Sequence, residues 1–391
     1  MPALRGLFFA FIIARTTHKR LTIMSFTIFQ RKLIGTTVQL LTENLQAFNA
    51  ASQNTLLLGT GEIVKETLET MTIGWIDGLI HDRNEHAPIG TKVEASVLTR
   101  ILGGSINSAG RVGPVAITSG TMRLIETNVN QAVGQVATIA AEAMLKRWIT
   151  IAMGAGVAAL SNRAEAIYTQ DAATTNKAGE LYPTVEDFPL AASLFGDQAS
   201  LIKVWFMSGT QWAKFSAREA VKSAKLVFEL GNMKIFTDGF GRAFLVSDAA
   251  SYGISAATKG GKQIYAPDTA IVGLVQNAVQ LTHNELKMAA SAPVLGGENI
   301  EHWWQGEFNY SLAMKGVRPT TAFRESVEGK KTATMADLVE ANNWQAEVGE
   351  TDRAPVGQDQ AGQKAPTRNV REGMGVIMKL TPTQVAAASG G

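Results

Sequence analysis

The chain has no cysteine in 391 residues. This excludes a disulfide framework, a thiolate metal site and a cysteine nucleophile. Histidine is scarce: His18, His81, His86, His283 and His302 are the only five, and none falls in an H-E-x-x-H arrangement. Charged residues make up 18%, nearly balanced at 36 basic to 34 acidic. No run of five basic residues occurs, so the electrostatic footprint of tight nucleic-acid binding is missing. Glycine-rich chemistry is missing too. Thr258-Lys259-Gly260-Gly261-Lys262 fails as a phosphate loop, with Ala256 where a glycine is needed and Gln263 where a Ser or Thr is needed; it reads as a flexible loop. Phe240-Gly241-Arg242 lacks the rest of a dinucleotide fingerprint, and there is no G-x-S-x-G elbow. Glu298, Glu301 and His302 come nearest to a metal cluster. The pattern around them is that of a strand, which leaves them a solvated edge. The expectation is therefore no catalytic residue, no metal and no cofactor.

What is present is apolar bulk, 46% of the residues, enough to bury a core across two or three domains. The most distinctive stretch is Asn128 to Leu160. Apolar residues recur at helical spacing through Val129, Ala132, Val133, Val136, Ala140, Ala143, Met144, Trp148, Ile151 and Ala155. Asn128 and Gln131 form the pattern of a capping box. Such a helix is a rod of roughly 50 Å. Glu142, Lys146 and Arg147 in its middle make it a poor membrane span. Met144, Trp148 and Ile151 should face the core and Lys146 should point away.

The first 23 residues carry Arg5, Arg15, Lys19 and Arg20 but no acid, and their apolar run is short and lacks a small-residue cleavage site. Met24 reads as the more natural start, with 1–23 a leader outside the fold. Residues 24–78 read as a mostly helical arm: Ile28 to Phe48, a short strand at Asn54–Gly59, then helical spacing again from Ile63 to Ile80. Residues 79–127 hold many glycines and the strand-like stretches VEASVLTRI and VAIT, predicting a protruding two-stranded β-arm. A hairpin without a core is marginal in water and is normally laid on a neighbour. A polar connector, 161–184, leads into a compact α/β segment. There Val185–Phe195 and Thr210–Lys222 read as helices and Leu201–Gly209 as a strand. Lys234–Ala249 reads as a hairpin turned at Asp238–Gly241, and Ala270–Leu281 as one further strand. Residues 286–316 return to β, with His302-Trp303-Trp304 as a packed subunit contact. Thr334 to Asp337 caps a helix ending near Trp344. From 346 a flexible tail is expected, with Gly375–Leu380 the one stretch of strand character.

Several stretches resemble a known family: FNAASQNTLLLG (Phe48–Gly59), RVGPVAIT (Arg111–Thr118), LFGDQASLIKVWFMSGTQWAKF (Leu194–Phe215), FTDGFGRAFLVSDA (Phe236–Ala249) and WWQGEFNYSLAMKGVRP (Trp303–Pro319). Their content and order are similar to the major capsid proteins of tailed bacteriophages, the Hong-Kong-97-type shell fold, over Met24 to Trp344. The long 161–184 connector and the tail depart from that pattern. The resemblance implies an α+β fold with an N-terminal arm (24–78), an extended β-loop (79–127) and a peripheral domain holding the spine helix (128–185 and 281–345). It also implies an axial domain (186–280). It implies self-assembly through pentamers and hexamers into an icosahedral head, built in the host bacterial cytoplasm. That head would enclose double-stranded DNA without reading its sequence. Portal, scaffold or decoration proteins would be further partners. Arg83, Glu85, Lys92, Glu94, Arg100 and Arg111 of the loop would make inter-subunit pairs. Obligate interfaces of this kind exceed ~2,000 Å². Three other readings stay open: an encapsulin-like compartment, a tail or tube protein, and an α/β enzyme.

Overall fold

The computed structural model describes residues 29, 31–61, 63, 67–73, 85–86, 88, 100–117, 127–170, 183–218, 224–230, 233–247, 257–259, 262–264, 270–284, 288–294, 301–347, 349–350 and 373–380. The leader, most of the tail and much of the expected β-arm lie outside them, Arg83, Lys92 and Glu94 included.

The chain opens with helix α1 over 31–51, whose buried stripe Leu33, Leu41, Leu45 and Phe48 has helical spacing. Strands β1 (Leu56–Thr60), β2 (Thr67–Ile73) and β3 (Arg100–Ile117) precede the rod, helix α2 (Val129–Ser161). Then come β4 (Ile167–Thr169), α3 (Asp187–Ala192), a 3-10 segment Ser193–Leu201, β5 (Ile202–Met207) and α4 (Gly209–Arg218). Strands β6 (Lys225–Leu230), β7 (Met233–Thr237) and β8 (Ala243–Val246) form a meander, followed by the ribbon β9 (Ala257–Lys259) and β10 (Lys262–Ile264). The rest is β11 (Ala270–Val275), β12 (Val279–His283), β13 (Met288–Val294), β14 (Glu301–Met314), β15 (Val317–Pro319), α5 (Thr321–Val327), α6 (Met335–Leu338), β16 (Trp344–Ala346), β17 (Gly349–Glu350) and β18 (Gly375–Lys379).

Two large sheets carry the fold. One has nine strands and is built around β14, which pairs with β12, β13, β15 and β3. The other has seven, in the order β4-β18-β11-β5-β8-β7-β6. The rod touches both. On its first half burial follows one face, through Val133, Ala137, Ala141, Met144, Leu145 and Trp148. Trp148 stacks on His283 of β12 at 3.9 Å and meets Phe308 of β14 edge-on. From Ile151 to Leu160 every residue is buried. That stretch is rich in Gly and Ala because a sheet approaches from each side. A methyl group added at Gly156 would lie 3.1 Å from Met374, beside β18, and 3.5 Å from Val279 of β12. The rod passes for a membrane span by length and composition, but 78% of that apolar window is buried in the protein. It is a core helix.

Several expectations need correction. Helical spacing from Ile63 to Ile80 gives way to strand β2, paired antiparallel with β3 from Thr67↔Ile106 to Ile73↔Arg100; the ladder outweighs a weak local periodicity. Residues 105–117 are no protruding arm. They pair with β14 as part of the nine-stranded sheet, and Ile106 is fully buried. Ala270–Leu281 is two strands in two different sheets. The chain breaks at Asn277, in left-handed conformation with φ 56°, where its N–H donates to the Asn54 carbonyl at 2.8 Å. Asparagine tolerates that region better than most residues. Of Thr258 to Lys262, read as a flexible loop, the described residues Thr258, Lys259 and Lys262 stand on paired strands, with Lys259 opposite Lys262. Helix Val185–Phe195 is shorter, α3 passing into the 3-10 segment with Gly196 at φ 54°. Within the expected tail, β18 is an interior strand between β4 and β11, with Val376, Ile377 and Met378 fully buried. The seven-stranded unit therefore recruits β4 and β18 from outside 186–280.

Two polar devices tie these elements down, a buried one at Asp187 and a surface one at Thr334 and Asp337. Asp187, at the start of α3, accepts bonds from the Thr184 N–H (2.7 Å), the Thr184 hydroxyl (2.9 Å) and Gln170 Nε2 (2.6 Å), which fixes α3 to the end of β4. At α6, Thr334 and Asp337 form the expected capping box. Burial pushes the Asp337 carboxyl up. The Thr334 N–H and hydroxyl and the Lys331 ammonium outweigh it and hold the group below its usual range.

Trp148→Ala should cost the subunit ~3–5 kcal/mol, as for a buried aromatic. Lys146→Ala should stay within about ±0.5 kcal/mol. Chemical melts of assembly-blocked subunits measure both, and equal damage would mean the rod's buried face is misassigned. Asp337→Asn should cost about 1 kcal/mol at neutral pH, the ordinary value of a lost cap. The lowered carboxyl contributes above its unfolded pKa and loses that contribution as pH falls through the folded one. The difference between wild type and Asp337→Asn should therefore shrink below about pH 4, read from melts across an acid series.

Candidate functional site

Among the described residues, the side chains that sequence reasoning put forward for chemistry form no common centre; Glu298, His18 and His81 lie outside them. His86 is exposed. His283 is buried against Trp148, its Nδ1–H donating to the Asn284 carbonyl at 2.9 Å. Glu301 accepts a bond from Trp303 Nε1 at 3.0 Å. Among the described residues no group of three His, Asp or Glu is placed to hold a metal. A cleft of about 500 Å³ opens between Asn107–Ala109 of β3, Asn309 of β14 and the turn at Gly329–Thr332. Its polar lining is amide, hydroxyl and lysine beside the apolar Ile63, Ala109 and Val327, without an acid and base facing one another. Burial pushes the nearby Tyr310 hydroxyl up, partly offset by a hydrogen bond with Ser108 and the charge of Arg147.

The informative geometry is on the outside, where apolar side chains stay exposed on rigid elements. Such surfaces mark places where another macromolecule lies. On the rod, Val136 and Ile139 are exposed at 38% and 68%, with Ala143 exposed beyond them and Lys146 and Arg147 following. This is a second, narrower stripe on the face opposite the core. On the β3–β14 ladder, Val115 and Trp303 are partly exposed, while Trp304 is buried. The Trp pair is thus split: Trp304 packs inward, and Trp303 stays available at the sheet surface. On the seven-stranded sheet, Leu226 and Val227 of edge strand β6 and Phe240 of the β7–β8 turn are exposed.

Of the six loop residues named from the sequence, three are described. Glu85 is exposed. Arg100 opens β3, opposite Ile73 on one side and Glu350 on the other. Arg111 is exposed on the same strand, opposite Glu307 of β14. Arg100 and Arg111 thus stand on a strand of the nine-stranded sheet and not on a free arm. Sequence reasoning missed Phe240. Its Asp-Gly-Phe-Gly setting marked a turn, but a turn signal does not say which side chain stays outside.

Comparison with known proteins places this architecture. A family model described as Gp13-like, major capsid protein 13-like, matches residues 25–354. No curated protein sequence matches. Among solved structures, one from Mycobacterium phage Adephagia covers 68% of this chain and 83% of its own at 10% identity, with a TM-score of 0.41. One from Mycobacterium phage Bobi covers 76% and 88% at 12% identity, TM-score 0.40. The capsid of Ralstonia phage GP4 covers 67% and 83% at 8% identity, TM-score 0.38.

Proposed function

Because this chain belongs to the major capsid protein 13-like family, we propose that it is a Hong-Kong-97-type shell subunit. Its nine-stranded sheet and rod would form the peripheral body, and its seven-stranded sheet the axial domain. The protein is a capsid protein of a tailed phage: it assembles with itself into a shell and resides in the virion. Its role is structural, and we assign no reaction to it. The observation that carries the function is the family match across most of the chain. The finer reading is supported by the order of elements: helical arm, β3, rod, mixed domain, return to β14.

In this reading the shell is icosahedral, built from pentamers and hexamers in the host cytoplasm, and it holds double-stranded DNA. A near-neutral chain, net +2, suits a container that must not grip its contents, since phosphate contacts would otherwise dominate binding. The rod gives each subunit a stiff spine. The loop 79–99 and the charges Arg83, Glu85, Lys92, Glu94, Arg100 and Arg111 reach a neighbouring copy, where unlike charges fix register more than they add affinity. Portal, scaffold or decoration proteins would dock on the completed shell or its precursor.

Expressed alone or with its scaffold, the wild-type chain should give closed particles by electron microscopy. Replacing residues 81–95 by a short Gly-Ser linker leaves β2 and β3 intact. That variant should melt like the wild-type subunit yet form no particles. Normal shells from it would remove the loop from the assembly contacts.

A further inference from the structure

We propose that the cleft at the open edge of β3 takes an extended peptide from a companion protein as an added strand, with a carboxylate of that peptide on Lys330. This goes beyond the shell reading, which gives companion proteins no site.

In an antiparallel pair each residue turns both backbone groups toward one neighbour, and the next residue turns both the other way. On β14 the sense is fixed by Asn309. Its carbonyl accepts the Asn284 N–H at 3.0 Å, and its own N–H donates to Asn284 Oδ1 at 2.6 Å. Asn309 therefore faces the β12 side. Tyr310, the next residue, faces β3, where it stands opposite Ser108. Ser108 in turn faces β14, so Asn107, Ala109 and Arg111 direct their N–H and C=O groups away from it, outward. Strand β2 covers β3 only as far as Ile106, opposite Thr67. Beyond Ile106, among the described residues, no backbone group pairs with this edge. The far end of the strand is blunted. Gly113 sits at φ 91° within a register shift, and Pro114 has no N–H to offer. The stretch from Asn107 to Val112 carries neither device.

The cleft of about 500 Å³ lies on this stretch, lined by the consecutive residues Asn107, Ser108 and Ala109. Side chains on a strand alternate between faces, so neighbours in sequence share a cleft where it runs along the strand's edge. Its other walls are Ile63, Asn309, Val327 and the turn Gly329–Thr332. Ser108 Oγ donates to the Ala333 carbonyl, which pins that turn to the strand. Two polar groups of the lining lack a partner. Asn107 Oδ1 is buried without a hydrogen bond. Lys330 makes no ion pair among the described residues, whereas Lys331 is held by Asp337 at 3.0 Å. Among the described residues no acid lines the cleft. Outside the lining, exposed Glu328 precedes the turn, and exposed Arg111 stands opposite exposed Glu307 of β14.

A row of outward N–H and C=O groups, a buried amide oxygen and one unpaired ammonium suit a β-strand that carries an acidic side chain. The ladder supplies affinity and the side-chain partner sets the register. The scale is that of a short segment. A cleft of this volume takes a small ligand or a few residues, whereas an obligate contact between copies runs above ~2,000 Å². The occupant is therefore a tail or loop of a companion protein and not the body of a second copy. The chain's own first 23 residues do not match, with Arg5, Arg15, Lys19 and Arg20 and no acid.

The test uses the full-length chain and a fluorescein-labelled peptide, acetyl-Thr-Val-Glu-Val-Thr-amide, followed by fluorescence anisotropy on unassembled subunits and on particles. The peptide should bind both, at least about ten-fold tighter than its Lys-for-Glu counterpart. Lys330→Glu should invert that preference. Ala109→Pro removes one outward N–H and no bond to β14, so it should keep the subunit melting temperature and weaken the Glu peptide about ten-fold. Should Ala109→Pro not fold, Lys330→Glu decides. Equal binding of the two peptides, or binding of neither, would overturn the proposal. So would Ala109→Pro subunits that melt like wild type and bind the Glu peptide undiminished. A peptide taken by subunits but excluded from particles would give the edge to a second copy and sink the companion. Absence of particles would sink the shell reading instead, and the subunit measurements would still decide this one.

Discussion

The last three turns of the rod are clamped on every side, and the rest of the molecule depends on that clamp. A helix pressed from two sides needs small residues where the neighbouring elements come closest, with larger side chains such as Met153, Val157 and Leu160 packed between those points. The run Ala152, Gly154, Ala155, Gly156, Ala158 and Ala159 supplies the small residues. Through it β12 of one sheet and β18 of the other press on a single helix. The N-terminal half has no such confinement. It lies on one sheet with its other face outside, so it carries the large core residues Met144 and Trp148 and the exposed Val136 and Ile139 on opposite sides. One helix is thus both the seam of the two sheets and a surface element.

Among the described residues, buried carboxylates serve joints: Asp187 fixes α3 to β4, and Asp238 with Arg242 stiffens a turn. Each satisfies backbone donors or a cation and has no group left over for a substrate. For a subunit of a capsid the relevant quantity is rigidity. Small errors of angle between copies accumulate around a closed shell, so preorganised joints count for more than single strong contacts.

What the sequence made legible was local. The rod was readable because apolar residues recur at helical spacing from Val129 to Ala155, and Asn128 marked its start by accepting the Gln131 N–H at 3.3 Å. The β7–β8 hairpin, β5 and the Thr334–Asp337 cap were likewise set by neighbours in sequence. The errors fall where partners are distant. Strand β2 looked helical because the ladder that makes it a strand lies on β3. The run 270–281 looked like one strand because Val, Leu and Ile continue through it, and only the contact of Asn277 with Asn54 shows the break. Of the surface features, the charged loop residues proposed to meet other copies were named from the sequence, while the exposed ring of Phe240 was not. Exposure belongs to the folded surface, and no pattern of apolar residues separates an outward ring from an inward one.

The insertion of β18 between β4 and β11 has a consequence in time. Among the described strands, β4 has no other partner in its sheet, and β11 keeps only β5, until residues 375–379 arrive. The same segment brings Met374 against the rod at Gly156. A nascent or prematurely ended chain therefore carries an open slot in the middle of a sheet and an unsupported seam, however complete its other elements are. Only a chain read through to this strand closes the body, so synthesis itself sorts competent building blocks from fragments before any copy meets another.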